Sequence, residues 1–198
     1  MSTPDNDYAI WLLPCAEDEA ALSEHVARLS TLVGGVGFAP HVTVQGSLAL
    51  DRDALLDVAG ALAAQVQRQC WPIEQVEAGA AFFQCLYLRF ASHPAFEALQ
   101  AGLLQRLGTQ EGRSPFPHLS LAYGEPHPDN DRLCALLAEQ FAHQSITLDR
   151  LAVVRASSRV PIAQWNVVAE FTLADADAAD RTARPVLHIP EGRRHDIA

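Results

Sequence analysis

Pro40-His41-Val42-Thr43-Val44 and Pro117-His118-Leu119-Ser120-Leu121 repeat one pattern 77 positions apart (118 minus 41). Each stretch places a histidine and, two residues later, a hydroxyl, with apolar residues at the alternate positions. Because successive side chains of a strand point to opposite faces, the histidine and the hydroxyl share one face and the apolar residues share the other. The pattern therefore predicts two anchored strands that present two imidazoles and two hydroxyls to one cleft.

These residue types suit attack on a phosphodiester. Two histidines can act as a general base and a general acid near neutral pH. The hydroxyls of Thr43 and Ser120 can bind the non-bridging oxygens of a phosphate, where negative charge develops. A third match to the bare pattern, His143-Gln144-Ser145-Ile146, follows a predicted helix. We interpret His143 as a histidine at a helix C-terminus.

The predicted elements around the two stretches also repeat. The order is strand, helix, histidine strand, helix, strand, written twice, with one extra strand at the end. Outside the histidine strands, strands are predicted over 8–14, 81–90, 146–155 and 165–173, with an edge or exposed strand over 71–78. Helices are predicted over 17–33 and 129–141. Two further helices are predicted, one capped by Asp51 or Asp53 and one capped by Ser92, opened by Pro94 and ended by Gly108. This duplication predicts an α+β fold, with two lobes of antiparallel sheet related by a pseudo-twofold axis, outer helices and a central cleft.

Composition limits the range of functions. The formal net charge of −10 argues against an extended nucleic-acid surface but is compatible with a small anionic substrate held by local donors. The acidic N-terminus does not resemble a signal peptide, and no apolar run is long enough to span a membrane. The four cysteines form no CxxC pair. We expect a reduced, cytoplasmic protein, without membrane contact. The oligomeric state stays open.

We expect one two-lobed domain over residues 1–174, with the His41 strand and the His118 strand facing one cleft. Residues 175–198 are rich in Ala and Asp and then mixed in charge, and we predict a mobile tail there.

The chain resembles the two-histidine (2H) phosphoesterase superfamily and, within it, the cyclic phosphodiesterase branch. The resemblance covers roughly residues 8–173. It rests on the two histidine stretches and on four further segments: Trp11-Leu12-Leu13-Pro14, Phe82-Phe83-Gln84-Cys85-Leu86-Tyr87-Leu88, Phe116-Pro117-His118-Leu119-Ser120-Leu121-Ala122-Tyr123-Gly124 and Trp165-Asn166-Val167-Val168-Ala169-Glu170-Phe171.

The resemblance implies hydrolysis of a cyclic phosphodiester, either a nucleoside 2′,3′-cyclic phosphate or ADP-ribose 1″,2″-cyclic phosphate, to a phosphomonoester. It implies that no metal and no other cofactor takes part. His118 would be the base and His41 the acid, although the near symmetry of the two stretches leaves these roles open. Tyr123 and Trp11 would contact the substrate, and a role for Tyr123 requires a bulge or strand end, because strict alternation sets it opposite His118.

Other hypotheses remain open. The chain could be a relative of the 2′-5′ RNA ligases or RNA-end phosphodiesterases, or a non-catalytic nucleotide-binding module. A metal site on the two histidines lacks further ligands. Arg113 and Arg159 lie in predicted loops that could approach a phosphate, although solvated surface arginines are the simpler interpretation.

Overall fold

The computed structural model describes residues 7–175, and the predicted tail, apart from Asp175, lies outside them. The elements follow the predicted order. The strands are β1 (Tyr8–Pro14), β2 (Val42–Leu48), β3 (Gln69–Glu77), β4 (Leu86–Phe90), β5 (His118–Ala122), β6 (Ser145–Arg155) and β7 (Asn166–Thr172). The helices are α1 (Ala16–Leu32), α2 (Arg52–Ala63), α3 (Pro94–Leu107) and α4 (Asn130–Gln140), and short 3₁₀ turns span Phe82–Gln84 and Ile162–Gln164.

All seven strands pair antiparallel in the order β1-β2-β5-β4-β3-β6-β7. Because β6 also pairs with β1, the first six strands close into a barrel-like ring, and β7 extends the sheet beyond β6. The long strand β6 joins the two lobes, since its first residues pair with β3 and the rest with β1 and β7.

The two faces of the sheet differ in what covers them. On β1, Ile10 and Leu12 belong to the large core beneath the helices, whereas the alternate residues Trp11 and Leu13 belong to a smaller cluster on the other face. Every residue of β1 is buried, as expected for a strand covered on both sides. The smaller cluster also contains residues of β6 and contacts Trp165.

Helix packing follows the internal repeat. α1 packs against β5, and its counterpart in the second half, α3, packs against β2. In the same way α2 packs against β6 and α4 against β3. Each half of the chain therefore covers strands of the other half, which gives the pseudo-twofold, two-lobed architecture predicted from the duplication.

The helix ends follow the sequence with one exception. The carboxylate of Asp51 accepts a hydrogen bond from the Ala54 amide at 3.0 Å and caps α2. Gly108 ends α3 in the left-handed conformation. The prediction of Ser92 as the cap of α3 is wrong, because the ring of the next residue, His93, accepts the Ala95 amide at 3.2 Å.

Two strand predictions also need correction. The strand expected over 81–90 begins only at Leu86, and the 3₁₀ turn Phe82–Gln84 precedes it. Of the two predicted alternatives, β3 is largely exposed or half-buried but is not an edge strand, since it pairs with β6 up to Pro72 and with β4 from Ile73 onward. Pro72 lies where pairing passes from one partner strand to the other, which explains how a residue without an amide proton is accommodated.

The loop before β5 is held in place by two buried glutamines. Gln45 of β2 donates to the carbonyls of Thr109 (3.2 Å) and Glu111 (2.8 Å). Gln100 of α3 donates to the carbonyl of Ser114 at 2.8 Å. These bonds satisfy loop carbonyls and fix the segment that leads to the second histidine.

No helix in residues 7–175 has both the length and the hydropathy needed to cross a lipid bilayer.

Gly112 is the position where this loop has no room for a side chain. Its φ is +68°, and a Cβ atom there would lie 1.9 Å from the carbonyl oxygen of Gly46. Gly108 has the same φ of +68° but nothing within 4 Å of its Cβ position, which makes it a matched control.

We predict that Gly112→Ala lowers the free energy of unfolding by roughly 2–4 kcal/mol, from backbone strain plus steric overlap. Gly108→Ala should cost about 1 kcal/mol, because only the strain applies. Urea unfolding of the two variants measures the difference, and equal losses would contradict this account of the loop.

Candidate active site

A single antiparallel bridge between Val42 and Leu119 joins the two histidine strands, β2 and β5. Both side chains are fully buried in the large core. The flanking residues of each strand therefore point to the opposite face, toward the cleft. Continuing the antiparallel register by one residue on either side sets Thr43 opposite His118 and His41 opposite Ser120. The strand from one lobe thus supplies the hydroxyl beside the histidine of the other.

His41 is enclosed by aromatic rings. Its imidazole stacks on the indole of Trp11, with ring centroids 3.5 Å apart and planes 7° apart. Its Nε2 lies 3.4 Å from the Tyr123 hydroxyl. Only 5% of the residue is exposed.

His118 is half-buried and has a more polar environment. Its ring contacts those of Phe116 and Tyr87, at centroid distances of 5.1 Å and 5.5 Å. The side-chain nitrogen of Gln84 lies 3.3 Å from its Nε2. Arg89 is its cross-strand partner on β4 and stacks over the Phe116 ring at 4.4 Å.

The two histidines share one orientation. The Nδ1 atom of His41 lies 2.7 Å from the carbonyl of Ala39, and that of His118 lies 3.1 Å from the carbonyl of Phe116. In each case the carbonyl belongs to the residue before the proline, two positions back. A carbonyl can only accept, so Nδ1 carries the proton, and in the neutral ring Nε2 is a hydrogen-bond acceptor.

Burial sets the charge of both rings. Desolvation lowers the pKa of His41 to about 3; its hydrogen bond to Ala39 opposes this shift, and repulsion from His118 adds to it. Burial also lowers the pKa of His118, and the Arg89 guanidinium adds to that effect. Both imidazoles are therefore neutral in the free protein at pH 7, so either can accept a proton.

The two predicted phosphate-binding hydroxyls differ in their hydrogen bonds. Ser120 donates to the carbonyl of Phe83 at 2.8 Å. The hydroxyl of Thr43 makes no hydrogen bond to any residue in the part of the chain that the structure describes. Thr43 is thus free to donate, whereas Ser120 can donate to a ligand only by releasing Phe83.

Tyr123 and Trp11, the predicted substrate contacts, both border the cleft. β5 ends at Ala122, so Tyr123 lies just beyond the strand end and escapes strict alternation. Its ring stacks on Phe38 with centroids 3.7 Å apart. Burial raises the pKa of its phenol, which stays protonated.

The two loop arginines have separate environments. Arg113 lines the cavity, and its Nε donates to Gln100 Oε1 at 2.7 Å. Arg159 forms an ion pair with Asp7 and is largely exposed.

The cleft encloses a cavity of about 390 Å³ between the two histidine strands. One wall is aromatic and consists of Trp11, Phe82, Phe83, Tyr123 and Trp165. Small and hydroxyl residues form another part, among them Gly46, Ser47, Gly112, Ser114, Ser157 and Ser158. Within the described residues no carboxylate lines the cavity, although the chain carries a net charge of −10. The cleft therefore suits an anion.

Gln84 and Trp165 are site residues that sequence reasoning did not single out. Gln84 falls in the stretch predicted as a strand, where nothing distinguishes it from a surface glutamine. Trp165 precedes β7, contacts the Trp11 and Phe83 rings, and donates from Nε1 to the carbonyl of Val160 at 2.9 Å. In the sequence, the signal for Trp165 was its position as a tryptophan at the start of a predicted strand.

In residues 7–175, no group of three or more His, Cys, Asp or Glu side chains is arranged to hold a metal ion.

Comparison with known proteins identifies a relative of this chain by sequence. A cyclic phosphodiesterase of Arabidopsis thaliana is 29% identical over 120 residues, which is 60% of this chain and 65% of that protein. The chain thus matches slightly less than two thirds of the length of this relative.

Solved structures share the fold at low sequence identity. TT0787 of Thermus thermophilus is 16% identical with a TM-score of 0.56, over 85% of this chain and 98% of that one. E. coli LigT complexed with phosphate is 11% identical with a TM-score of 0.53, over 87% of this chain and 99% of that one.

The model of the 2′-5′ RNA ligase superfamily matches residues 5–159, a span that includes both histidine stretches. The chain belongs to the 2′-5′ RNA ligase superfamily of two-histidine phosphoesterases.

Proposed function

We propose that the protein is a phosphodiesterase that hydrolyses a cyclic phosphodiester to a phosphomonoester without a metal ion, using His41 and His118 as its acid–base pair. The observation that carries this proposal is their shared orientation. Each Nδ1 is held by a backbone carbonyl, which leaves each Nε2 directed at one carboxylate-free cavity. Membership of a phosphoesterase family and a relative named cyclic phosphodiesterase support the same reaction.

The reaction needs two proton transfers on opposite sides of phosphorus. One neutral imidazole takes a proton from water as the water oxygen bonds to phosphorus. The bond from phosphorus to one ring oxygen breaks, and the protonated second imidazole gives its proton to that oxygen. Histidines supplied by two pseudosymmetric lobes suit this opposed arrangement.

His118 is proposed as the base and His41 as the acid. The Gln84 contact favours the unprotonated form of His118 in the free protein, and the carboxamide releases the Nε2 lone pair when His118 takes the proton of water. His41 loses its proton readily in the free protein because it is buried. An anionic phosphate in the cleft would restore that proton, since a nearby negative charge raises the pKa of an imidazole.

Thr43 and Ser120 are proposed to border the phosphate. The hydroxyl of Thr43 can donate directly to a non-bridging oxygen. The single hydroxyl hydrogen of Ser120 is engaged with Phe83, so this residue contributes differently from its counterpart.

The aromatic wall favours a substrate that carries a nucleobase. Flat rings such as Trp11 and Phe83 provide stacking surfaces that accept any base. A cavity of about 390 Å³ is within the range of small-molecule sites. A nucleoside 2′,3′-cyclic phosphate is the proposed substrate class, with ADP-ribose 1″,2″-cyclic phosphate as the larger alternative.

An RNA-end or RNA-ligating role has less support. Arg113 is the only arginine lining the cleft among the described residues, and phosphate groups of a longer RNA would need more cations. A non-catalytic nucleotide-binding module would not need two proton-transfer groups.

We predict that His41→Ala and His118→Ala each reduce turnover of a nucleoside 2′,3′-cyclic phosphate by orders of magnitude in the presence of a chelator, because each removes a proton-transfer group. Thr43→Ala should reduce kcat by on the order of ten- to a thousandfold, since it removes a donor to developing charge. Release of phosphomonoester, with circular dichroism as a check on folding, measures these effects.

The control is His143→Asn, at the third histidine with a hydroxyl two residues on. His143 is exposed and has a φ of +62°, which asparagine tolerates, so activity should not change. A folded His118→Ala variant with wild-type turnover would refute the mechanism, and retained binding without turnover by the wild type would favour the binding module.

We predict that kcat/KM is highest below pH 6.5 and falls as the pH rises through neutrality. The active form has one protonated and one neutral histidine, and both pKa values in the free protein lie below 6.5. Above the higher of the two, the pair loses its remaining proton. Because bound phosphate raises both pKa values, the profile of kcat should lie at higher pH than that of kcat/KM. A kcat/KM that rises between pH 6.5 and 8 would contradict this assignment.

A further inference from the structure

The 3₁₀ turn Phe82–Gln84 is anchored through all three of its backbone carbonyls. In chain order, these accept hydrogen bonds from the Gly124 amide (3.0 Å), the Ser120 hydroxyl (2.8 Å) and the Gly79 amide (2.9 Å). Gly124 follows β5, which also contains Ser120, and Gly79 follows β3, so the turn is tied to the second histidine strand and to β3. A turn fixed at each carbonyl holds its side chains in defined positions.

Gly79 makes one of these anchors possible by its lack of a side chain. A Cβ atom at this position would lie 2.7 Å from the carbonyl oxygen of Gln84. The close approach of the two backbones sets the position of Gln84 at the end of the turn.

The side chain of Gln84 reaches a reacting atom. Its Nε2 lies 3.3 Å from Nε2 of His118. Because Nδ1 of His118 carries the proton given to Phe116, its Nε2 must accept, and the carboxamide must donate. A carboxamide nitrogen has two hydrogens, so one remains for a ligand.

The Ser120 hydroxyl has partners within the protein in the free site. It donates its one hydrogen to the carbonyl of Phe83, and it is also a hydrogen-bond partner of the Tyr123 phenol. Thr43, its counterpart in the first half of the chain, makes no such bond to a described residue. The two halves of the site therefore differ in whether protein groups compete with a phosphate for the hydroxyl.

We propose that Gln84 is a further catalytic residue, whose carboxamide donates to the phosphate on the His118 side, beside the Ser120 hydroxyl that anchors the turn carrying it. This inference rests on the proposed function. Before substrate binds, one N–H of Gln84 keeps the His118 lone pair directed into the cleft. When the phosphate is bound, the carboxamide releases the His118 lone pair to the attacking water and donates to a non-bridging oxygen, the role that the hydroxyl of Thr43 takes on the opposite side.

The first test is Gln84→Met, which keeps the volume of the side chain and removes the donor. The matched control is Gln105→Met, at an exposed residue of α3. We expect Gln84→Met to lower kcat for a nucleoside 2′,3′-cyclic phosphate by on the order of tenfold to a hundredfold with an unchanged melting temperature. The control should leave kcat unchanged. A loss smaller than tenfold would overturn the proposal, whereas a wild type without turnover would refute the proposed function instead.

A second readout needs no turnover. Losing a donor to the neutral form of His118 should raise its pKa, which NMR titration of the substrate-free protein measures. We expect a higher pKa in Gln84→Met than in the wild type and in Gln105→Met. Equal values in all three proteins would show that the contact is not formed, and would overturn the role of Gln84.

The role of Ser120 is tested by a double-mutant cycle. If Ser120 holds the turn that carries Gln84, the two substitutions, Ser120→Ala and Gln84→Met, are coupled, and the loss of kcat in the double variant should be smaller than the product of the two single losses. Losses that multiply would show that Ser120 and Gln84 act independently, and would overturn the role of Ser120 as an anchor of the turn.

Discussion

The antiparallel bridge between Val42 and Leu119 is the constraint on which the rest of the structure depends. It is the one registered pair between the two histidine strands, and it turns two apolar side chains into the core. Because side chains alternate between the two faces of a strand, the residues beside this bridge, a histidine and a hydroxyl from each lobe, face the cleft. The helices reinforce the arrangement, because α1 packs against β5 and α3 against β2. A protein built in this way can form its site only when both lobes are folded together.

The duplication gives two similar histidines, and the surroundings make them different. His41 is stacked on Trp11 and almost fully buried, while His118 is half-buried beside Gln84 and the Arg89 guanidinium. The same chain segment, the turn Phe82–Gln84, accounts for much of this difference, because it bonds Ser120 and contacts His118. We propose that this asymmetry gives an acid and a base to a pseudosymmetric site, and that the phosphate binds two different sets of donors.

The element order and the two histidine strands could be predicted from the sequence, because strand alternation and internal repetition can be read from residue spacing alone. The spacing of His41 and Thr43 fixes a shared face in any strand, and its recurrence 77 residues later predicts the pseudo-twofold axis. The turn at Phe82 could not be predicted in this way. Two adjacent phenylalanines before an apolar run are typical of a strand, but here they pack into the aromatic wall of the cleft, and their carbonyls bond to Ser120 and Gly124. Long-range partners of this kind leave no periodic signal, and Gln84 was missed for the same reason. The pairing of β3 with β6 up to Pro72 and with β4 after it is likewise a tertiary property, and a proline in the strand indicated an edge instead.

The most direct test of the account is whether His41 and His118 bind one and the same phosphate. Histidine-selective NMR spectra, assigned with the two alanine variants, can be recorded at constant pH while inorganic phosphate is added. If a single anion lies between the two Nε2 atoms, both signals should shift along one saturation curve, and the pKa of each ring should be higher at saturation. Two independent curves, or shifts confined to an exposed ring such as that of His143, would contradict the claim that the duplicated strands build one shared site.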